Sequence, residues 1–127
     1  MQNPKDMKYT KEHEWVKVDG TTATVGITHH AQEMLTDIVF VELPDVGKQV
    51  EQLKQLCVVE SVKSVSDVFA PVSGEVLEAN TELDNKPELV NTDAFGDGWL
   101  AKIKVKDVKE LSSLMSSDEY DKYSEEH

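Results

Sequence analysis

One lysine stands out by its surroundings. Lys63 lies in Val58-Val59-Glu60-Ser61-Val62-Lys63-Ser64-Val65-Ser66-Asp67-Val68, between two β-branched stretches, and Ala70-Pro71-Val72-Ser73-Gly74-Glu75-Val76 follows closely. A chain reversal there presents one amine at the tip of a turn, away from the body of a β domain. Lysine joins a flexible four-carbon stem to a terminal nucleophile. A lone exposed amine on a stiff turn suits the attachment of a covalent arm, and acylation removes its charge. A tether of that kind raises local concentration at a partner's site, on the order of mM for short links.

Other reactive side chains group less well. His13, His29 and His30 match no tight ligand spacing and no cysteine pair joins them, so no metal site is expected. Cys57 is the single cysteine and lies in apolar Leu56-Cys57-Val58-Val59. It reads as a small core residue with no adjacent base, and it excludes an internal disulfide. There is no Gly-rich phosphate loop and no catalytic triad order, which argues against a stand-alone enzyme.

The 127 residues read as one domain, 1–127, with a core over about 8–106 and a helical segment over about 107–124. No apolar run approaches the ~18–20 residues of a membrane helix, so no membrane partner is expected. Net charge is −12, from 25 acids against 13 bases. Nucleic acid and anionic membrane surfaces are therefore poor partners and none is expected, because phosphate binding needs clustered Lys and Arg. Acidity suits basic docking surfaces or plain solubility. Residues 1–6 have neither an apolar signal stretch nor an Arg-rich transit character. A processed organellar form would look the same, so the expectation is cytoplasm for a bacterial source and mitochondrial matrix for a eukaryotic one.

The elements that must position Lys63 can be read from pattern. Residues 8–19 hold Tyr9, Trp15, Val16 and Val18 among charges and form an opening strand. Asp19-Gly20 signals a turn before a β-branched strand over 21–27. Thr28 can cap a short helix over 29–35 with its hydroxyl. A buried strand follows over 38–41. The strand over about 56–62 leads to a reversal centred on Lys63-Ser64, where the lack of Gly or Asn disfavours a type I′ turn and favours type I. Strands over 75–79 and 99–106 come next. In the second, Trp99, Ala101, Ile103 and Val105 oppose Lys102, Lys104 and Lys106. Asp107 with Glu110 makes a capping box for a helix carrying Leu111, Leu114 and Met115 on one face. Ser116 with Glu119 makes a second box for a helix over 118–123. Trp15 and Trp99 are expected to fill core space. The pattern predicts an all-β small sandwich or flattened barrel with helical additions.

Lys63 is part of a longer ordered set. Tyr9-Thr10-Lys11-Glu12-His13-Glu14-Trp15-Val16, Val25-Gly26-Ile27-Thr28 with Ala31-Gln32, and Asp37-Ile38-Val39-Phe40-Val41-Glu42-Leu43-Pro44 precede it. Glu60-Ser61-Val62-Lys63 with Ser66-Asp67, Pro71-Val72-Ser73-Gly74-Glu75-Val76, Asn80, Pro87, Leu89-Val90-Asn91 and Gly98-Trp99-Leu100 complete it. Together these resemble, over nearly the whole chain, the H protein family of the glycine cleavage system. The resemblance implies the lipoyl-domain fold, a barrel-sandwich hybrid of two antiparallel sheets, with a short helix near 29–35 and C-terminal helices. It implies a lipoyl group in amide linkage to Lys63 at a hairpin tip. It also implies a non-catalytic carrier, which takes an aminomethyl group from glycine decarboxylase to the tetrahydrofolate-dependent aminomethyltransferase. Dihydrolipoamide dehydrogenase then reoxidises the arm. A lipoate-protein ligase, or a lipoyl/octanoyl transferase, is implied as the attaching partner.

Within that resemblance, Glu60 is the residue expected to mark the site for the attaching enzyme; a solvating charge at a strand end is the alternative. Glu14 and Asp67 are expected to line a pocket for the arm and its cationic cargo, with Glu12 a weaker third. Solvated surface acids are the alternative for each. Leu53 and Lys54 stand where the family often has a glycine, and Thr36 replaces a frequent glycine before Asp37, which leaves the geometry of both turns open. An H-like relay that hands lipoate to other enzymes shares Lys63 with the carrier. A biotin carrier typically flanks its lysine with Met, whereas Val62 and Ser64 stand here.

Overall fold

The computed structural model describes residues 2–126. The β-branched runs become strands. β1 (Lys8–Tyr9), β2 (Glu14–Asp19) and β3 (Thr22–Ile27) form a meander. Gly20 and Thr21 join β2 to β3, and Gly20 takes φ +64 at the first place of that two-residue loop, as a type II′ turn requires. Thr28 Oγ1 accepts from the Ala31 amide at 3.1 Å and starts α1 (His29–Leu35). Then come β4 (Ile38–Glu42), β5 (Gln49–Val50), β6 (Gln55–Ser61), β7 (Val65–Phe69) and β8 (Gly74–Ala79). A 3₁₀ turn over Thr81–Asp84 and the one-turn α2 (Leu89–Thr92) precede β9 (Ala101–Val105). The described chain closes with a 3₁₀ segment, Val108–Ser113, and α3 (Ser117–Glu126).

The strands form two antiparallel sheets. The larger has the order β1-β2-β3-β9-β8-β5 and the smaller β4-β6-β7. One apolar cluster unites them, with Val16, Val25, Val76 and Ile103 from the larger sheet and Val41, Val59 and Val68 from the smaller. Each such side chain, fully buried, contributes about 1.5–3 kcal/mol. A second cluster joins Met7, Tyr9, Trp15 and Tyr120. Tyr9 and Tyr120 stack at 4.8 Å, so α3 is pinned to β1. Trp15 lies flat on Gly26, where a Cβ would come within 2.6 Å of its ring. This strand cannot carry a side chain at that position.

Three expectations need correction. Trp15 is buried, but Trp99 is only half-buried and precedes β9, with the Lys102 ammonium 5.1 Å from its ring centroid. The helix expected after Asp107 is a 3₁₀ segment without a capping box. Asp107 does accept from the Lys109 amide at 3.0 Å, but Glu110 turns away to accept from the Ser73 amide and hydroxyl at 2.7 and 2.8 Å. Leu114 leaves the helical turn in extended conformation, and Met115 pairs with Tyr9. By contrast the Ser116–Glu119 box forms reciprocally, at 3.0 and 3.2 Å, and starts α3. The third correction concerns the turn that carries Lys63.

Candidate functional site

Lys63 is exposed at the tip of the β6–β7 hairpin. The reversal is centred on Val62 and Lys63, one residue earlier than the pattern predicts. Ser61 is the reason. Its amide donates to the Ser64 carbonyl at 2.8 Å, and its hydroxyl accepts from the Lys63 and Ser64 amides at 3.2 and 3.0 Å. A serine hydroxyl that satisfies turn amides replaces the special backbone angles of a primed turn. Neither Val62 nor Lys63 has positive φ. The Val62 amide donates to the Asp37 carbonyl at 3.0 Å, which ties the tip to the start of β4.

Residues paired across an antiparallel sheet share a face. On the outer face of the smaller sheet, Phe40, Glu60 and Val65 make one row and Glu42, Val58 and Asp67 the next. Glu60 is half-buried between Phe40 and Val65. Asp67 is exposed, and its Oδ1 accepts from Gln55 Nε2 at 2.8 Å. Val65, Asp67 and Phe69 alternate onto this face, so the line of β7 leads away from Lys63 to Phe69.

Phe69 borders a cavity of about 460 Å³ whose apolar walls are Tyr9, Leu53, Phe69, Leu114 and Met115. Thr10 and Glu12 also line it. Glu14 lies behind this wall, 1% exposed. The Thr10 hydroxyl donates to its Oε1, and the Phe69 amide, on the free edge of β7, donates to its Oε2 at 3.1 Å. Burial pushes the Glu14 carboxyl up to about 7; the two hydrogen bonds work against that rise and the nearby Glu12 charge adds to it. A carboxyl group that titrates near neutrality behind an apolar cavity can meet a cation with its charge or accept its proton.

The structure thus puts Glu12 on the cavity lining and Glu14 buried behind it, bonded to the lining residues Thr10 and Phe69, puts Asp67 on the strand that leads there, and puts Glu60 beside the lysine. Thr10, Phe69, Leu114 and Met115 are not among the site residues expected from the sequence. Thr10 shares the opening strand motif with Glu14; nothing local marks Phe69 or Met115. His13 and His29 are engaged elsewhere, and the buried His30 Nε2 has no hydrogen-bond partner among the described residues. His13 Nδ1 is 2.7 Å from the Tyr120 hydroxyl, and His29 Nε2 is 3.0 Å from Glu33. Cys57 is buried in the core, and burial pushes its thiol up to about 12.

Residues 7–127 match the sequence profile of the family described as glycine cleavage H-protein. The chain belongs to the glycine cleavage H-protein family. A glycine cleavage system H protein of Halothermothrix orenii is 59% identical over 126 residues, covering 99% of this chain and 98% of that protein. The mitochondrial H protein 2 of Arabidopsis thaliana is 53% identical over 122 residues, covering 96% of this chain and 78% of that protein. The crystal structure of an H protein from Mycobacterium marinum superposes with a TM-score of 0.86 at 39% identity, covering 93% of this chain and 95% of that one. The H-protein architecture is therefore the one seen here, two antiparallel sheets with short helices and no closed barrel. No described helix is long and apolar enough to cross a membrane.

Proposed function

We propose that this H-family chain is the carrier subunit of the glycine cleavage system and bears its lipoyl group in amide linkage to Lys63. The observation that carries this reading is the placement of Lys63: exposed, at the tip of a hairpin held by the Ser61 hydroxyl, with no ion pair among the described residues. The residues fit such a group. An apolar cavity is present for the arm, and Phe69 at its rim is four strand positions from Val65, about 13 Å along β7. Lys63 lies two residues further out at the hairpin tip, so a lysine side chain alone does not reach that rim and a longer arm is needed.

When bound, the group supplies the dithiolane that accepts and yields the aminomethyl group between glycine decarboxylase and the tetrahydrofolate-dependent aminomethyltransferase, and dihydrolipoamide dehydrogenase restores it. The chain supplies position and electrostatics. Ser61 fixes the direction of the tip. Tyr9, Phe69 and Met115 exclude water from the resting arm. Glu14, with the exposed Asp67 along the way, favours a cationic amine over a neutral one. Glu60 is the feature beside Lys63 that an attaching ligase or transferase can read. The relay alternative shares all of these, and no feature of the site favours it. The compartment follows the host: cytoplasm in a bacterium, mitochondrial matrix in a eukaryote.

Intact-mass analysis after incubation with lipoate-protein ligase should show one lipoyl amide, mapped to Lys63. Lys63→Arg should abolish both the mass increase and glycine decarboxylation in the reconstituted system. Persistent glycine turnover with Lys63→Arg would overturn the reading.

A further inference from the structure

We propose that the outer face of the β4–β6–β7 sheet is the docking surface for the enzyme that acylates Lys63, and that this enzyme meets it with an apolar patch rimmed by basic side chains. The proposal rests on the reading of Lys63 as the attachment site. Four large apolar side chains crowd the tip of the smaller sheet in open solvent: Val39 at 52%, Phe40 at 46%, Val62 at 68% and Val65 at 66% exposure. Scattered exposed apolar residues are ordinary, but a contiguous group marks an interaction site. The contiguity here is built in. β4 advances two residues, from Ile38 to Phe40, while β6 advances one, from Ser61 to Glu60. Val39 is the extra residue of that bulge. A bulge re-aims side chains, and this one leaves Val39 and Phe40 both exposed where strict alternation would turn one inward. The Asp37–Val62 hydrogen bond then holds the bulge against the hairpin tip.

Charge decides the complement. Asp37, Glu42, Glu60 and Asp67 lie on or border this face, and none of them makes an ion pair among the described residues. Lys63 itself loses its charge on acylation. A partner with basic residues around an apolar centre is attracted to such a face, and one with acids is repelled.

Reach selects the occupant. The acylating enzyme meets the protein before any arm exists. It must bring its reacting carbonyl to Lys63 Nζ, within the length of one lysine side chain, so it has to touch what surrounds that lysine. Enzymes that use the finished arm meet its far end and have no such constraint.

The test measures initial rates of Lys63 acylation of the full chain by lipoate-protein ligase, followed by intact mass. The Phe40→Thr/Val65→Thr double variant keeps β-branched or β-favouring residues and removes the apolar surface. Its kcat/KM should fall at least tenfold, mainly through KM. Val39→Thr should show a smaller loss in the same direction. Leu77→Thr, also exposed but on the larger sheet, should acylate at the parent rate. Raising ionic strength should raise KM for the parent protein. Prolonged incubation should bring the double variant to full acylation, and dihydrolipoamide dehydrogenase should then turn it over as it does the parent. Acylation of the double variant at the parent rate would overturn the proposal and leave the carrier reading intact. So would normal acylation with impaired turnover by the dehydrogenase, which would assign the face to that enzyme. A parent protein that is never acylated at Lys63 would sink both.

Discussion

At Glu14 the energetics of a single buried group are set against its neighbours. Desolvation favours the neutral acid, while Thr10 and the Phe69 amide favour the anion, and desolvation wins. The consequence for stability has a definite sign. Between the ordinary 4.5 and about 7, the folded protein holds a proton on Glu14 that the unfolded chain has released. Stability therefore falls as pH rises through that window, by about 3 kcal/mol at its full extent. Glu14→Gln cannot titrate. Urea unfolding at pH 5 and pH 8 should show the parent losing about 2.5 kcal/mol relative to that variant, since pH 5 already lies inside the window; a constant difference between the two pH values would mean that the carboxyl is ionised throughout. The exposed hairpin tip at Lys63 was legible because its signals lie in contiguous residues. The state of Glu14 was not, because the amide that holds it comes from a residue 55 positions away.

Elements were legible where their signals are local. Thr28 before α1, the Ser116–Glu119 box before α3 and the alternation of β9 all form as the pattern says. They fail where a side chain has a better distant partner, as Glu110 has in Ser73. The two turns left open by missing glycines are informative in the same way. Thr36 and Leu53 both adopt positive φ, at 66° and 68°, so the backbone geometry persists without the residue that suits it. Thr36, with ψ −149°, lies in a region used almost only by glycine, at a cost of order 1–3 kcal/mol. Thr36→Gly relieves that strain and adds about 0.4–1 kcal/mol of unfolded-state freedom in the opposite sense. A net gain of about 1 kcal/mol is expected, read as a higher denaturant midpoint at unchanged slope. Ser61→Ala works the other way. It strips the Lys63 and Ser64 amides of their acceptor and should cost about 1 kcal/mol. Amide exchange should quicken at the hairpin tip first, and uniform quickening along β6 and β7 would show that the serine matters to the whole sheet instead.

Across the whole molecule, the helical C-terminal segment is joined to the cavity. Tyr9 and Met115 both line that cavity, and their backbones exchange two hydrogen bonds, at 2.9 and 2.8 Å. Tyr9 in turn stacks on Tyr120 of α3, which is fully buried, and the Tyr120 hydroxyl reaches Thr28 Oγ1 and His13 Nδ1 at 2.7 Å each. The sequence shows a helix near this place but gives no sign that it braces the opposite end of the chain. If it does, removing the ring should loosen one wall of the cavity and not the main core, because Tyr120 belongs to the second cluster. Tyr120→Phe keeps the stacking and deletes only the hydroxyl, at about 1–3 kcal/mol for the partners left unsatisfied. Tyr120→Ala deletes both, at about 3–5 kcal/mol by analogy with other buried aromatics. Native-state hydrogen exchange separates local from global loss. In Tyr120→Ala the Tyr9 and Met115 amides should lose protection before those of β3 and β9, whereas Tyr120→Phe should leave that order as in the parent. If β3 and β9 lose protection together with Tyr9 and Met115, α3 serves the fold at large and the cavity wall stands without it.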